Sequence, residues 1–127
     1  MQSLKNCDLI LEIELIESIS GGNREFEIIF STRSREKYKM IFRRVWDLRY
    51  SVENASIYRF CEFRKCLPEG IVDNSIYIVE NSEYIKYFEQ QVSGTYLVDD
   101  VIHYILSDNI DTFVDILAIE KPMLVKI

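Results

Sequence analysis

The chain contains little of the material from which common catalytic and metal-binding motifs are built. Its 127 residues include one histidine, four glycines and two prolines. So few glycines leave no Gly-rich phosphate-binding loop, and the pair Gly21-Gly22 is typical of a hairpin turn. No Ser/His/acid arrangement can be assigned from spacing. The sequence therefore predicts no catalytic residues, no cofactor and no metal centre, and it favours a protein that is not an enzyme.

Long apolar runs are also missing. The apolar stretch at residues 9–16 is interrupted by Glu12 and Glu14, and nothing approaches the roughly 18 apolar residues that a membrane-spanning helix needs. Residues 1–8 carry no basic segment followed by a long apolar one, so we expect no secretory signal. These absences predict a cytoplasmic protein with no membrane partner.

Cysteine is scarce, and its spacing is unlike that of a redox or zinc motif. Cys7, Cys61 and Cys66 are odd in number, and the last two lie five positions apart, which is not a CxxC spacing. We expect all three to be reduced thiols, in agreement with a cytoplasmic location.

The chain does contain enough apolar material for one core. Hydrophobic residues make up 48% of the sequence, and sixteen residues are aromatic. This content is normal for a folded globule, and the length suits one domain but not two ordinary ones. We therefore expect a single domain over residues 1–127.

Charge is divided unevenly along the sequence. Residues 31–66 hold ten Lys/Arg against four acids, a balance of +6, and the rest of the chain holds five basic residues against seventeen acids, a balance of −12. The resulting net charge of −6 argues against general nucleic-acid binding. A basic middle between acidic ends can pair internally, or it can leave an acidic face for a basic partner.

Alternation of apolar and polar residues predicts strands in the first third of the chain. The apolar phase of the first strand is Leu9, Leu11, Ile13 and Leu15. Residues 20–23 supply a turn, so a second alternating run over residues 25–30 completes an antiparallel hairpin. A third strand follows at Tyr38, Met40 and Phe42, and residues 45–48 could extend it through a bulge.

One helix is predicted by its cap and its spacing. Asn81 or Ser82 can cap a helix over about residues 82–92. Its apolar positions are Tyr84, Ile85, Phe88 and Val92, and its polar positions are Glu83, Lys86, Glu89 and Gln90. A second short helix fits residues 51–60, and a strand fits them as well.

The remaining segments predict more strands. Residues 76–79 form a short apolar strand, and residues 101–106 and 112–117 read as a second hairpin, with two short helices as the alternative. Residues 120–127 fit a tail or an edge strand. The predicted fold class is α+β: an antiparallel sheet of five to seven strands is covered on one face by one main helix. The residues expected to be buried are Phe26, Ile28, Phe42, Ile78 and Phe88.

Two places in the chain combine polar or charged groups with apolar neighbours: His103 and the Trp46–Tyr50 segment. His103 lies among Ile102, Tyr104 and Ile105, which is typical of a packed structural histidine. The segment Trp46-Asp47-Leu48-Arg49-Tyr50 combines aromatic rings with charges, and it fits a buried corner better than an exposed interface.

The acidic residues of the C-terminal half form the candidate binding surface. The residues proposed to contact a partner are Glu83, Glu89, Asp99, Asp100, Asp108 and Asp111. Asp108 and Asp111 lack the glycine turn and the terminal Glu of an EF-hand loop, so a metal site is not expected there. Acidic side chains gathered on one surface predict a basic protein partner.

Two blocks of the sequence carry a resemblance to other proteins. They are residues 45–60, and the set of residues 74–80, 82–88, 91–95, 103–106 and 111–117. Together they resemble small, uncharacterised cytoplasmic proteins of Gram-positive bacteria. Some acidic single-domain proteins of this kind serve as immunity partners of polymorphic toxins, so the resemblance implies an inhibitor that binds a toxin.

Three functions remain open at this point. The first is a non-enzymatic binding protein, an immunity-type inhibitor of a basic toxin. The second is a small enzyme that uses His103 or a cysteine with nearby acids. The third is a structural or self-associating protein that joins copies through a sheet edge, since a homo-oligomer is compatible with the sequence.

Overall fold

The computed structural model describes residues 2–51, 74–92, 100–108 and 112–127, and these ranges contain nine strands and one helix. The elements are β1 Ser3–Asn6, β2 Ile13–Gly22, β3 Glu25–Thr32, β4 Lys37–Arg43, β5 Val45–Ser51, β6 Ile76–Glu80, α1 Glu83–Val92, β7 Ile102–Ser107, β8 Phe113–Ala118 and β9 Met123–Lys126. The predicted short helix at residues 51–60 lies outside the described residues, except for Ser51 at the end of β5.

The strands form two antiparallel sheets instead of the one predicted sheet. Sheet A has the order β1-β6-β7-β8-β5, and sheet B has the order β2-β3-β4-β9. The α+β class and the antiparallel pairing are confirmed, whereas the count of five to seven strands in one sheet is met only in part. The chain changes sheet at Arg44, whose φ of 54° turns it out of β4. Residues 45–51 therefore start a new strand instead of extending the third one.

The main core lies between the two sheets. Sheet B contributes Ile28, Phe30, Met40 and Phe42, and sheet A contributes Tyr104, Leu106, Val114 and Ile116. The rings of Phe42 and Tyr104 meet edge to face, with centroids 5.6 Å apart, and join the two layers directly. Each sheet thus buries one apolar face against the other.

The first predicted hairpin is present, but its first strand changes phase. β2 pairs with β3, and register shifts lie between Ile13 and Leu15 and between Ile16 and Ser18. Each bulge adds one residue, so the following side chains move to the opposite face. The prediction that Leu15 faces the core is therefore wrong: Leu15 is exposed, and Ile16 packs against the core instead.

Helix α1 covers the other face of sheet A. Tyr84 is buried with Val101 and Leu117, and Phe88 packs at the edge of this cluster. The predicted apolar and polar positions of the helix are confirmed, and its bounds agree with residues 82–92 because Ser82 is the cap. The burial prediction holds for Ile28 and Phe42, whereas Phe26, Ile78 and Phe88 are only half-buried.

The C-terminal segments also settle two open alternatives. β7 and β8 pair from Ile102 with Ala118 to Ser107 with Phe113, so residues 102–118 contain a hairpin and not two helices. β9 pairs with β4 and is the last strand of sheet B, so the final segment is a strand. Every residue of β8 is buried, because sheet B covers one face of this strand and α1 covers the other.

Candidate functional site

A buried chain of polar side chains connects α1 to sheet A. The Ser82 Oγ lies 2.7 Å from His103 Nδ1, and His103 Nε2 lies 2.6 Å from Asp115 Oδ1. The exposed fractions of these residues are 5% for Ser82, 3% for His103 and 0% for Asp115. We call these three residues the Ser82–His103–Asp115 chain.

The sheet places the two strand residues of this chain. His103 and Ile105 lie on the face of β7 opposite to Tyr104, because side chains alternate along a strand. In the ladder, Ile105 is the partner of Asp115, which puts the carboxylate diagonally across from His103 on the same face. Sequence alternation alone determines the face, but the contact with Asp115 depends on the register between the strands.

Ser82 reaches the same face because it caps α1. The backbone N–H of Ile85 donates to Ser82 Oγ at 3.1 Å, which satisfies one of the unpaired donors at the start of the helix. The cap therefore has two roles, since its hydroxyl also meets His103. A helix cap and a sheet residue are joined at one oxygen atom.

The hydrogen-bond directions follow from the carboxylate. A carboxylate accepts only, so His103 Nε2–H donates to Asp115 Oδ1. When the other ring nitrogen carries no proton, it accepts the proton of the Ser82 hydroxyl, which in turn accepts the Ile85 N–H. Every polar atom of the chain has a partner, and buried polar groups of this kind specify the position of the elements that carry them.

A second set of charges lies beside this chain. Arg49 Nε is 3.7 Å from Asp115 Oδ2, and its guanidinium carbon lies 4.0 Å from the centre of the Tyr84 ring. The Tyr84 ring also meets the His103 ring edge to face, with centroids 5.3 Å apart. Burial, and after it the Asp47 carboxylate, raise the pKa of the Tyr84 hydroxyl. The Trp46–Tyr50 segment thus forms a half-open corner against α1, with Arg49 and Tyr50 exposed.

The connectivity of the Ser82–His103–Asp115 chain is that of a nucleophile, a base and an orienting acid. Its burial limits what it can do, because a substrate must reach the serine oxygen. Only 5% of Ser82 is exposed, and its oxygen is already engaged with Ile85 and His103. In this geometry the chain holds α1 on sheet A.

The outer surface of α1 carries two of the predicted partner-binding residues. Glu83 and Glu89 are exposed, and Tyr87 is 61% exposed on the same helix. Residues 80–92 hold three acids and one basic residue, Lys86. We call the exposed side chains of Glu83, Lys86, Tyr87, Glu89 and Gln90 the α1 surface.

The other four predicted residues are placed differently. Asp100 is exposed and directly precedes Val101, which packs under α1. Asp108 is half-buried, and its two carboxylate oxygens accept the backbone N–H groups of Ile16 and Thr112, at 3.1 Å and 2.9 Å. Asp108 therefore ties the β7–β8 connection to β2. Asp99 and Asp111 lie outside the described residues.

Four basic residues of the segment 31–66 are paired on the outer face of sheet B. The ion pairs there are Arg33–Glu14 at 3.8 Å, Lys37–Glu17 at 3.3 Å, Lys39–Glu27 at 3.7 Å and Arg43–Glu25 at 3.8 Å. These acids belong to β2 and β3, which neighbour each other and β4 in the sheet. The positive charge of β4 is thus balanced locally on the layer that faces away from α1.

The described residues do not combine into a metal site. No group of three or more His, Cys, Asp or Glu side chains within residues 2–51, 74–92, 100–108 and 112–127 could hold a metal ion. In the same ranges, no helix has the length and apolar character needed to cross a membrane. Cys7 is a free thiol, and Cys61 and Cys66 fall outside these ranges.

Comparison with known proteins adds no relative. No family model, curated protein or solved structure matches the chain.

Sequence reasoning found the surface residues of α1 but missed the buried chain. Helical spacing is sufficient to show that Glu83 and Glu89 point away from the core. The separations of 21 residues from Ser82 to His103 and of 12 from His103 to Asp115 correspond to no local motif. The only available signal was the capping position of Ser82, combined with a lone histidine on an apolar strand.

Proposed function

We propose that this protein is a non-enzymatic binding protein, an immunity-type inhibitor of a basic toxin, and that it docks through the α1 surface. The observation that carries the proposal is the separation of charge between the two outer layers. Basic side chains of β4 are paired with acids on sheet B, whereas α1 presents Glu83 and Glu89 with Lys86 as the basic residue among them. Surplus negative charge on α1 attracts a basic partner over long range and speeds association.

The exposed tyrosine supports the same surface. Tyr87 is 61% exposed on a helix whose opposite side is packed on sheet A. Tyrosine is enriched among the residues that dominate interface energies, because it buries a large ring and also offers a hydroxyl group. A central aromatic side chain with acidic neighbours fits a complex in which charge steers and the ring anchors.

The buried chain gives this surface a fixed position. Ser82, His103 and Asp115 join the start of α1 to β7 and β8, so the helix does not need to be ordered on binding. A surface that is already ordered avoids part of the entropy cost of association.

The experiment is affinity capture from the source cell, followed by association kinetics at low and high salt. The test variant is Glu83→Gln/Glu89→Gln, and the control is Glu12→Gln/Glu120→Gln, which makes the same charge change at exposed positions outside α1. We expect the test variant to associate about 3- to 10-fold more slowly at low salt and to lose most of its salt dependence. The control should bind at close to the wild-type rate.

A second comparison isolates the anchor. Tyr87→Ala is expected to weaken binding about 10-fold or more if the ring lies at the centre of the interface. Tyr50→Ala is the matched control, because Tyr50 is 59% exposed on β5 and pairs with Val114, whose side chain lies on the face of sheet A opposite to α1. An acidic captured partner, or wild-type association of the Glu83/Glu89 variant at low salt, would contradict the proposal.

One observation favours the enzyme alternative enough to test it. The Ser82–His103–Asp115 chain has the hydrogen-bond order of a nucleophilic hydrolase site. If the protein hydrolyses activated esters, Ser82→Ala and His103→Gln should both abolish the activity while the fold is retained. If instead both variants fold and bind the captured partner as the wild type does, the binding function stands and the enzyme alternative is rejected.

A further inference from the structure

A cavity of about 540 Å³ opens between the two sheets, on the side of the molecule where β1 ends. Its wall includes Lys5, Ile78 and Tyr104, which are successive partners across β1, β6 and β7. These residues lie on the face of sheet A that turns toward sheet B. The volume is within the range of about 300–1,000 Å³ that is typical of small-molecule sites.

The floor of this cavity is apolar. Ile78 and Ile102 belong to the inner face of sheet A but are only half-buried, because the cavity lies over them. Leu9 and Pro122 complete the apolar lining from two connecting segments. An apolar ligand body would remove these side chains from water.

Tyr104 adds a hydroxyl group to the wall of the cavity. Its side chain is 1% exposed, it lines the cavity, and its hydroxyl has no hydrogen-bond partner among the described residues. Cys7 and Asp8, which also line the cavity, both act electrostatically on this hydroxyl, so it lies on the cavity side of the ring. The hydroxyl group opens into the cavity, where a ligand acceptor can take its hydrogen bond in place of water.

The charged side chains that line the cavity carry a net positive charge of one. Lys121 Nζ lies 2.6 Å from Asp8 Oδ2, and this pair is exposed. Lys5 is exposed beside it and forms part of the lining. The Cys7 thiol donates to the Leu9 carbonyl, at 3.6 Å from sulfur to oxygen, and burial raises its pKa, so the thiol adds no negative charge. The lining is thus positive by one in a chain whose net charge is −6.

We propose that this cavity binds a small amphipathic monocarboxylate, whose apolar body lies on Ile78 and Ile102 and whose carboxylate accepts from the Tyr104 hydroxyl and faces Lys5. A single negative charge balances the lining, and an apolar body fills the uncovered part of the sheet. This site is separated from the α1 surface by sheet A, so it does not depend on the proposed function and can be tested without the partner.

The test is a titration of the protein with octanoate, followed by the methyl NMR signals of Ile78 and Ile102. Octylammonium has the same apolar chain with the opposite charge and serves as the ligand control. We expect saturable shifts of both isoleucine signals with octanoate, and at least about 10-fold weaker binding of octylammonium because of the net positive lining.

Two substitutions locate the carboxylate. Tyr104→Phe removes only the hydroxyl, and it is expected to weaken octanoate binding about 2- to 10-fold through loss of one hydrogen bond. Lys5→Gln is expected to weaken binding about 2- to 5-fold and to reduce its salt dependence. Tyr87→Phe is the matched control, since it removes a tyrosine hydroxyl from the α1 surface, and it should bind octanoate as the wild type does.

The outcomes separate clearly because Tyr104→Phe removes a hydroxyl group that bonds to none of the described residues and keeps the ring. Saturable octanoate binding that is weakened by Tyr104→Phe and unchanged by Tyr87→Phe supports the site. The proposal is overturned if millimolar octanoate leaves the Ile78 and Ile102 signals unshifted, if octylammonium binds equally well, or if Tyr104→Phe binds with wild-type affinity.

Discussion

His103 obtains both of its hydrogen bonds from residues that no local pattern connects to it. Ser82 comes from the start of α1, and Asp115 comes from the neighbouring strand. Asp115 is fully buried, and the N–H that His103 Nε2 donates to its carboxylate replaces part of the solvation that it loses on folding. The lone histidine is packed and hydrogen-bonded on a buried face of β7, as its apolar sequence context predicted, although its partners were not foreseen.

A double-mutant cycle tests this role. We expect His103→Phe to lower the free energy of unfolding by about 2–4 kcal/mol, because the fully buried Asp115 carboxylate then loses the hydrogen bond from His103. The double variant His103→Phe/Asp115→Leu should lose less than the sum of the single losses, with a coupling of about 1–3 kcal/mol. Urea unfolding measures all four proteins. Strictly additive losses would show that the two side chains act independently.

The raised pKa of Tyr104 predicts a loss of folding stability at high pH. Burial, and after it Cys7 and Asp8, raise the pKa of Tyr104 to about 12, whereas an unfolded tyrosine titrates near 10. The folded state thus favours the neutral phenol. The contribution of the neutral phenol to the free energy of unfolding is fully present below about pH 10. Roughly 2–3 kcal/mol is lost as the pH rises through about 12.

The variant Tyr104→Phe isolates this contribution. Its stability should fall less than that of the wild type between about pH 9 and pH 12, because the titrating group is gone while the packing is kept. Tyr87→Phe, at an exposed position, should follow the wild type. Equal alkaline losses in all three proteins would contradict the raised pKa of Tyr104.

At the scale of elements, the β2–β3 hairpin shows how a turn sets the register. Asn23 and Arg24 have φ values of 53° and 66°, which is the pattern of a type I′ turn. Gly21 precedes them with a φ of 149°, and a Cβ at this position would collide with the Glu25 carbonyl oxygen. Gly22, by contrast, has open space around a built Cβ.

The neighbouring glycines therefore form a matched pair of tests. Gly21→Ala should lower the free energy of unfolding by about 2–3 kcal/mol, because the backbone must shift or strain at a φ that suits only glycine. Gly22→Ala should change it by less than about 1 kcal/mol, since no contact and no special φ oppose it. Thermal unfolding of the two variants gives the comparison, and equal losses would place the turn elsewhere.

Local sequence patterns predicted most of the strands and the helix, but they did not predict how these elements assemble. Alternation predicted the β3 and β4 strands, and helical spacing with a cap predicted α1, because each signal lies within a few residues. The phase change at Leu15 was missed because a bulge leaves no mark in the alternation before it. The separate sheet of β5 was missed because Arg44, a residue that rarely has positive φ, makes the turn.

The same division applies to the candidate sites. Exposure of Glu83 and Glu89 follows from the helix pattern and was predicted. The structural role of Asp108 was not, because its two acceptors depend on β2 lying next to the β7–β8 connection. Asp108 is accordingly a poor residue for a charge test, since its removal would affect the fold together with any binding.

For the whole molecule, the three stacked layers keep two outer surfaces of different charge apart. Sheet B carries paired charges on its outer face, sheet A is the buried middle layer, and α1 carries surplus acids on the opposite side. The acids of β2 and β3 pair with the basic residues of β4, so part of the positive charge of residues 31–66 is balanced on sheet B. The acids Glu83 and Glu89 remain exposed on α1, where we propose that a partner binds.

The outermost strands of sheet B decide whether the molecule also associates with itself. β2 carries two bulges and the charges of Glu14 and Glu17, which protect an edge. β9 is short and exposes Met123 and Val125, and its charged residue is Lys126. A charge on an edge strand opposes strand addition, so we expect a monomer at micromolar concentrations, in keeping with the binding function.

Removal of that charge is the test. Lys126→Val should raise self-association at least about 10-fold in sedimentation equilibrium, because it leaves an uncharged apolar edge strand. Lys86→Val makes the same substitution on α1 and should remain monomeric. Lys126 lies 3.3 Å from Glu36 across an exposed pair, so its loss should change stability by no more than about 1 kcal/mol. A wild-type protein that already dimerises, and whose dimer Lys126→Val leaves unchanged, would place the interface elsewhere and favour the self-associating function over the immunity-type one.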